Sequence, residues 1–335
     1  IKADIIGKDI YNNIFKRLDI GDILGAKGKL FKTHTGEMTI NAEEITILSK
    51  GLRPLPEKWH GLKDVDTRYR QRYVDLIVNE DVRKVFQVRS RIISKIRELL
   101  DKNGFLEVET PMMQSMAGGA AGDPFKTHHK ALDIDLYLRL APELYLKRLL
   151  VGGFDKVYEL NRNFRNEGIS IRHNPEFTMV EIYKAYSDCA GMMQLTEEIF
   201  NFVASEVMGT NKIKFGEEII DLTPPWPRWS FAEEIKKKFD INPDDSSKEW
   251  IKKLQAKGVD FKAKDITRSQ IANIITEMLE PETGDRPIFV IDLFTELCPL
   301  AKRKKDNPLL TDRFELFMGG MEIANAYSEL NDPIE

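Results

Sequence analysis

Apolar positions change their spacing several times along the chain, and each change marks an element. Residues 10–18 carry a short helical pattern, and two alternating runs follow at 22–31 and 37–48, joined by the turn His34-Thr35-Gly36. One helix and one hairpin bury too little apolar surface to stand alone, so residues 1–50 read as the end of a small β domain. Residues 51–66 are dense in Pro and Gly and predict a linker. From Asp81 onward Val82, Val85, Phe86, Ile92, Ile93, Ile96, Leu99 and Leu100 share one helical stripe, and Gly104 stands where a C-terminal cap belongs. That spacing predicts a long amphipathic helix. Residues 105–109 form a short extended run that stops at Pro111, and AGGAAGDPF at 117–125 predicts a glycine-rich loop. Pro142 at an expected first helical position and Gly152-Gly153 at the expected end bracket a helix, with Glu143 in its first turn. Two strands at 156–165 and 176–186 flank a polar loop. Residues of about 226–285 are rich in Lys, Glu and Asp, with helical patterns at 231–239, 248–257 and 266–279, and predict a helical insertion. Strand spacing returns at 287–293, and 312–330 predicts an antiparallel hairpin turning at Gly319 and Gly320.

Composition narrows the classes. At 335 residues the chain has room for about two domains. With 42% apolar and 31% charged residues it is a folding sequence, not a disordered or fibrous one. The net charge of -4 argues weakly against a dedicated nucleic-acid protein, although a negative total can hide a basic stripe. No apolar run approaches the ~20 residues that span a bilayer, and no export signal opens the chain. The expectation is a cytoplasmic protein without a membrane partner. Cys189 and Cys298 stand far apart without a CxxC or a His at metal spacing, and are expected as buried reduced thiols. The chain opens on Ile1 and stops at Glu335 just after an acidic, proline-containing turn, so a fragment of a longer protein is expected.

Candidate chemistry gathers on two strands and one loop. Along 176–186 Val180 and Ile182 share one face, while Phe177, Met179, Glu181 and Tyr183 share the other. The second face either looks onto a bound ligand or lies open to solvent. In 312–330 Asn325, Tyr327 and Glu329 repeat the theme of carboxylate plus phenol. A pocket of Glu181, Tyr183, Tyr327 and Glu329 suits an ammonium group, such as that of lysine or a polyamine. Glu315 and Glu322 flank the Gly-Gly turn and form a candidate Mg2+ pair. The loop between the strands packs Arg165, Glu167, Arg172 and His173, which suit phosphate or carboxylate, and Phe177 could stack on a purine. The glycine loop fits neither GxGxxG nor GxxxxGK[ST].

On the stretches LRPLPEKWHGLKDVDTRYRQRYVDL, GFLEVETPMM, GGAAGDPF, LRLAPELYLKRLLVGGFDKVYELNRNFRNEGIS, RHNPEFTMVEIYKAY and LTDRFELFMGGMEIANAYSELNDP, the sequence resembles the class II lysyl-tRNA synthetases over nearly its whole length. The resemblance implies an α+β fold with an antiparallel sheet flanked by helices, preceded by part of an OB-fold β-barrel. Residues 1–50 would be the C-terminal part of that anticodon-binding domain, 51–66 a linker and 67–335 the catalytic domain. GFLEVETPMM resembles the end of the family's first motif, with its proline at Pro111, and implies a homodimer. FRNEG through RHNPEF resembles the second motif.

Carried over, Arg165 would contact the ATP α-phosphate and the amino-acid carboxylate, with Glu167, His173 and Glu315 on the nucleotide side and Phe177 on adenine. Glu143 and the backbone of Gly119 would hold the α-ammonium of L-lysine, and Glu181, Tyr183, Asn325, Tyr327 and Glu329 its side chain. Glu315 and Glu322 would hold Mg2+ against the triphosphate. The implied activity joins lysine to tRNA(Lys) through lysyl-adenylate. The family's third motif should follow LNDP, and the front of the OB-fold should precede Ile1, which again implies a fragment. Two rival readings share the fold: a lysyltransferase that modifies a translation factor, and a non-catalytic RNA-binding or scaffold protein.

Overall fold

Contacts divide the chain into two units, Ile1–Ser90 and Arg91–Glu335. The computed structural model describes residues 1–53, 55, 62–120, 122–170, 173–259, 266–279 and 281–334. Residues 54 and 56–61 of the expected linker, Ala121 of the glycine loop and Arg172 of the polar loop lie outside the described residues.

In the first unit, helices α1 (Ala3–Ile6) and α2 (Lys8–Asn13) precede an antiparallel hairpin of β1 (Ile23–Lys32) and β2 (Met38–Ser49). Ile6, Ala42 and Ile45 form a small core with Tyr11, Ile14 and Phe15. A bulge at Lys27/Gly28 brings the hairpin strands so close that a Cβ on Gly28 would lie 2.0 Å from the Asn41 carbonyl oxygen. Only glycine fits there. Helices α3 (Val65–Arg70) and α4 (Arg72–Val78) follow, then α5 (Glu80–Lys102), whose second half belongs to the other unit. Asp75 is fully buried, held by Arg68 at 2.9 Å, Asn79 at 2.6 Å and Arg72.

The second unit continues with β3 (Leu106–Glu107), β4 (Met113–Gln114), β5 (Lys126–His129), β6 (Ile134–Leu138), α6 (Glu143–Val151), β7 (Lys156–Phe164), β8 (Glu176–Lys184) and α7 (Cys189–Met208). Then come β9 (Lys212–Phe215), β10 (Glu218–Asp221), β11 (Arg228–Ser230), α8 (Phe231–Phe239), α9 (Ser247–Gln255), α10 (Arg268–Met278), β12 (Ile288–Ile291), β13 (Arg313–Met318) and β14 (Met321–Tyr327). Two sheets matter for the site, ordered β3-β7-β8 and β11-β12-β13-β14. The mixed α+β content and the antiparallel pairs β7–β8, β12–β13 and β13–β14 match the expected fold class. The sheets are not antiparallel throughout. β3–β7 and β11–β12 pair in parallel, because long crossovers separate them, through β4, β5, β6 and α6 in one case and α8–α10 in the other.

Local chemistry explains the boundaries. Pro142 is the N-cap of α6 rather than its first residue, and Gly152 caps its end. β8 stops at Lys184, because Tyr186 is turned to φ +56 and is 97% exposed. Asp188 accepts from the Gly191 amide at 2.8 Å to open α7, and Gly209 in the left-handed region closes it. Val180 and Ile182 pack with Leu100, Phe105, Tyr158 and Leu195, as the strand alternation predicts. Capping boxes start α9 (Ser246, Glu249) and α10 (Thr267, Gln270). The three helices α8–α10 enclose Trp250, which stacks on Phe294 at 5.2 Å.

Candidate active site

A cavity of about 1890 Å³ opens in the second unit between β8, β14, α6 and α7. Its apolar lining includes Ile96, Phe200, Val203 and Met318. Most of the residues singled out in the sequence line it as well: Gly119, Glu143, Arg165, Phe177, Glu181, Tyr183, Glu322, Asn325, Tyr327 and Glu329.

The β7–β8 register fixes the environment of Glu181. Its cross-strand partner is Glu159, a like charge that would be destabilising alone. Arg139 resolves the conflict from β7's buried side. Its Nη1 donates to Glu159 Oε1 at 2.7 Å and to Thr110 Oγ1 at 3.1 Å, with both charged residues at 1% exposure. Burial, and then repulsion from Glu143, push the Glu181 carboxyl up to about 7, against the opposing hydrogen bond from Tyr183 and the field of Arg139. The Tyr183 hydroxyl donates to Glu181 Oε2 at 3.2 Å, and burial followed by the Glu181 charge holds that phenol well above its usual range.

Glu143 enters from the first turn of α6. Its Oε1 accepts from the Tyr327 hydroxyl at 3.0 Å and from Lys147 Nζ at 2.6 Å. Lys147 also reaches Glu329 Oε1 at 3.0 Å, and burial raises the Glu329 carboxyl above its ordinary value despite that partner. Gly119 stands at φ +86, and a Cβ there would lie 3.4 Å from the Glu143 Cβ and from the Ala141 carbonyl oxygen. The glycine loop thus lies against the start of α6. It also meets the polar loop, since a Cβ on Gly122 would lie 2.7 Å from Glu167 Oε1.

Arg165 lies with its guanidinium 5.3 Å from the Phe177 ring centroid. Its Nε is buried without a partner among the described residues, as is the Nε of Arg313 on β13. An anion bound in the cavity would satisfy such groups. Glu315 is buried next to Arg313, whose Nη2 donates to it at 2.6 Å, and burial raises its carboxyl, with Glu322 adding to the rise. A bulge at Leu316/Phe317 pairs Phe317 with Glu322 and shifts the simple alternation read from β14, so that Asn325 Nδ2 donates to Glu322 Oε1 at 3.0 Å. Among the described residues no group of three or more His, Cys, Asp or Glu is arranged to hold a metal. Two carboxylates close enough to repel still supply hard oxygen donors that fit Mg2+ bridged to phosphate.

Glu167, His173 and Glu315 do not line the cavity. Glu167 is exposed, and His173 folds back on its own loop, its Nδ1 2.8 Å from Ser170 Oγ. Sequence reading missed Lys147, Arg139, Glu159 and Arg313. The one-turn spacing of Glu143 and Lys147 carried a signal for the first. Arg139 and Glu159 lie 20 residues apart and left no local trace.

Residues 64–335 match the family described as tRNA synthetases class II (D, K and N). The chain is 57% identical over its full length to a lysine--tRNA ligase of Pelotomaculum thermopropionicum, 67% of which is covered. It is 53% identical over its full length to the lysine--tRNA ligase of Moorella thermoacetica, covering 68%. Against that of Carboxydothermus hydrogenoformans it is 55% identical over 98% of its length, covering 68%. The chain spans about two thirds of the length of these relatives. With that family matched over most of the chain and relatives more than half identical along all or nearly all of it, the chain belongs to the class II tRNA synthetases, within the lysine--tRNA ligase family.

Proposed function

We propose that the protein activates L-lysine with ATP and transfers it to tRNA(Lys), in the manner named for its relatives. The observation that carries this reading is the convergence of Glu143, Glu181 and Glu329 with Tyr183 and Tyr327 on one cavity that Arg165 also lines. Carboxylates and aromatic rings suit the two ammonium groups of lysine, and a guanidinium with an unpartnered Nε suits its carboxylate and the α-phosphate.

In the first step a lysine carboxylate oxygen attacks the α-phosphorus in line. The bond from phosphorus to the bridging oxygen breaks, and lysyl-adenylate and pyrophosphate form. The terminal ribose hydroxyl of tRNA then attacks the adenylate carbonyl, and AMP leaves. This chain needs no nucleophile of its own, because positioning and charge neutralisation carry the reaction. Arg165 spans carboxylate and α-phosphate, Phe177 offers a face to adenine, and Glu167 and His173 serve the nucleotide side. Gly119 and Glu143 hold the α-ammonium, and Glu181, Tyr183, Asn325, Tyr327 and Glu329 the side chain. Glu315 and Glu322 would hold Mg2+, which when bound neutralises charge on the triphosphate. Residues 1–50 act as the C-terminal part of an OB-fold anticodon domain, residues 67–335 as the catalytic domain, and the assembly is a homodimer in the cytoplasm. No helix among the described residues is long and apolar enough to cross a membrane.

The test is lysine-dependent exchange of labelled pyrophosphate into ATP, with arginine and ornithine as controls. Lysine-specific exchange that disappears in Arg165→Ala is expected. Exchange with all three amino acids, or undiminished exchange in Arg165→Ala, would overturn the assignment. Equilibrium sedimentation at micromolar concentration should report a dimer, and a clean monomer would refute that part.

A further inference from the structure

Lys147 brings the protein's own ammonium into the carboxylate cradle. Its Nζ lies 2.6 Å from Glu143 Oε1, 3.0 Å from Glu329 Oε1 and 5.6 Å from the centroid of the Tyr327 ring. Glu143 belongs to α6 and Glu329 follows β14, so one side chain ties the helix to the end of the hairpin. It is also a permanent cation. Burial by itself would lower its pKa, but Glu143 and Glu329 outweigh burial and hold it above the usual lysine value.

Charge balance gives this contact a purpose. Of the carboxylates that line the cavity, Glu143, Glu181 and Glu329 are the three assigned to the ammonium groups, Glu322 being assigned with Glu315 to the metal pair. A bound lysine brings two ammonium groups, and its carboxylate falls to Arg165, so one carboxylate of the three is left without a cation. Lys147 supplies it. Geometry agrees with the count. Lys147 engages Oε1 of both Glu143 and Glu329, and Tyr327 donates to the same oxygen of Glu143 at 3.0 Å. Among the described residues, no hydrogen bond from the protein reaches Oε2 of either. Each carboxylate is therefore anchored by one oxygen and has the other to offer.

We propose that Lys147 is the positioning residue of the ammonium cradle, pinning Glu143 and Glu329 relative to each other and neutralising the surplus charge, so that the pocket accepts a diammonium amino acid. The proposal rests on the lysine reading above. Without Lys147 the two carboxylates repel, one takes up a proton, and the ammonium site loses both charge and geometry.

Calorimetric titration of lysine, and separately of ATP, into the wild-type chain, Lys147→Met and Lys147→Arg tests this near neutral pH. Met keeps the length and loses the charge, whereas Arg keeps the charge. Lysine Kd should rise by about tenfold or more in Lys147→Met and stay within about threefold in Lys147→Arg, since only one of them retains a partner for both carboxylates. ATP affinity should be unchanged in both, and the melting temperature should be unchanged in Lys147→Arg. Wild-type lysine affinity in Lys147→Met overturns the proposal. Equal losses in both variants with lowered melting temperatures also overturn it, because packing and not charge would then be responsible. A wild-type chain with no measurable lysine affinity brings down the lysine reading itself, and this proposal with it.

Discussion

Glu181 costs the ligand-free protein stability that bound lysine should restore. Burial and the Glu143 charge raise its carboxyl from 4.5 to about 7. Between those values the folded state binds more protons than the unfolded one, so stability falls as pH rises through this window and the full cost stands above it. A shift of that size corresponds to about 3 kcal/mol at 1.36 kcal/mol per unit. Replacing Glu181 by Gln keeps the shape and removes the charge. Urea unfolding followed by the fluorescence of Trp226, Trp229 and Trp250, all in the second unit, reads the effect. In the absence of lysine the variant should be more stable than wild type by about 3 kcal/mol near pH 8, and by less than about 1 kcal/mol near pH 5, where most of the charge is already gone. Lysine should stabilise wild type and leave the variant unmoved. An equal gain at both pH values, or none, would refute the claim that an uncompensated buried charge sits at this position.

The same carboxyl sets the pH dependence of binding. Lysine affinity should rise with pH up to about 7, roughly tenfold per unit below it, because the ammonium selects the ionised form; a flat calorimetric profile from pH 5 to 7 would count against this. Arg139→Leu strands Glu159 as a buried unpaired charge and should cost about 3–5 kcal/mol of stability, read by the same urea titration. Gly119→Ala forces a side chain into φ +86 beside Glu143 and should cost about 1 kcal/mol, with a severalfold loss of lysine affinity by calorimetry.

What the sequence determined by itself was local. Period-two alternation identified β8 and its two faces, the helical stripe identified α5, and Gly319-Gly320 identified the turn of the β13–β14 hairpin. The alternation also put Glu181 and Tyr183 on one face of β8, but it left open whether that face meets a ligand or solvent. Tertiary structure decided what those groups do to one another. The β7–β8 register opposes Glu181 to Glu159, and the remote Arg139 makes that tolerable. The bulge at Leu316/Phe317 turns Glu322 toward Asn325, where strict alternation would have separated them. Lys147 joins Glu143 to Glu329 across 186 residues of sequence, from the helix after the glycine loop to the end of the hairpin. Side-chain type is written residue by residue. Charge balance is a property of separation in space, and only the packing of α6 and β8 around one cavity with the β13–β14 hairpin sets those separations.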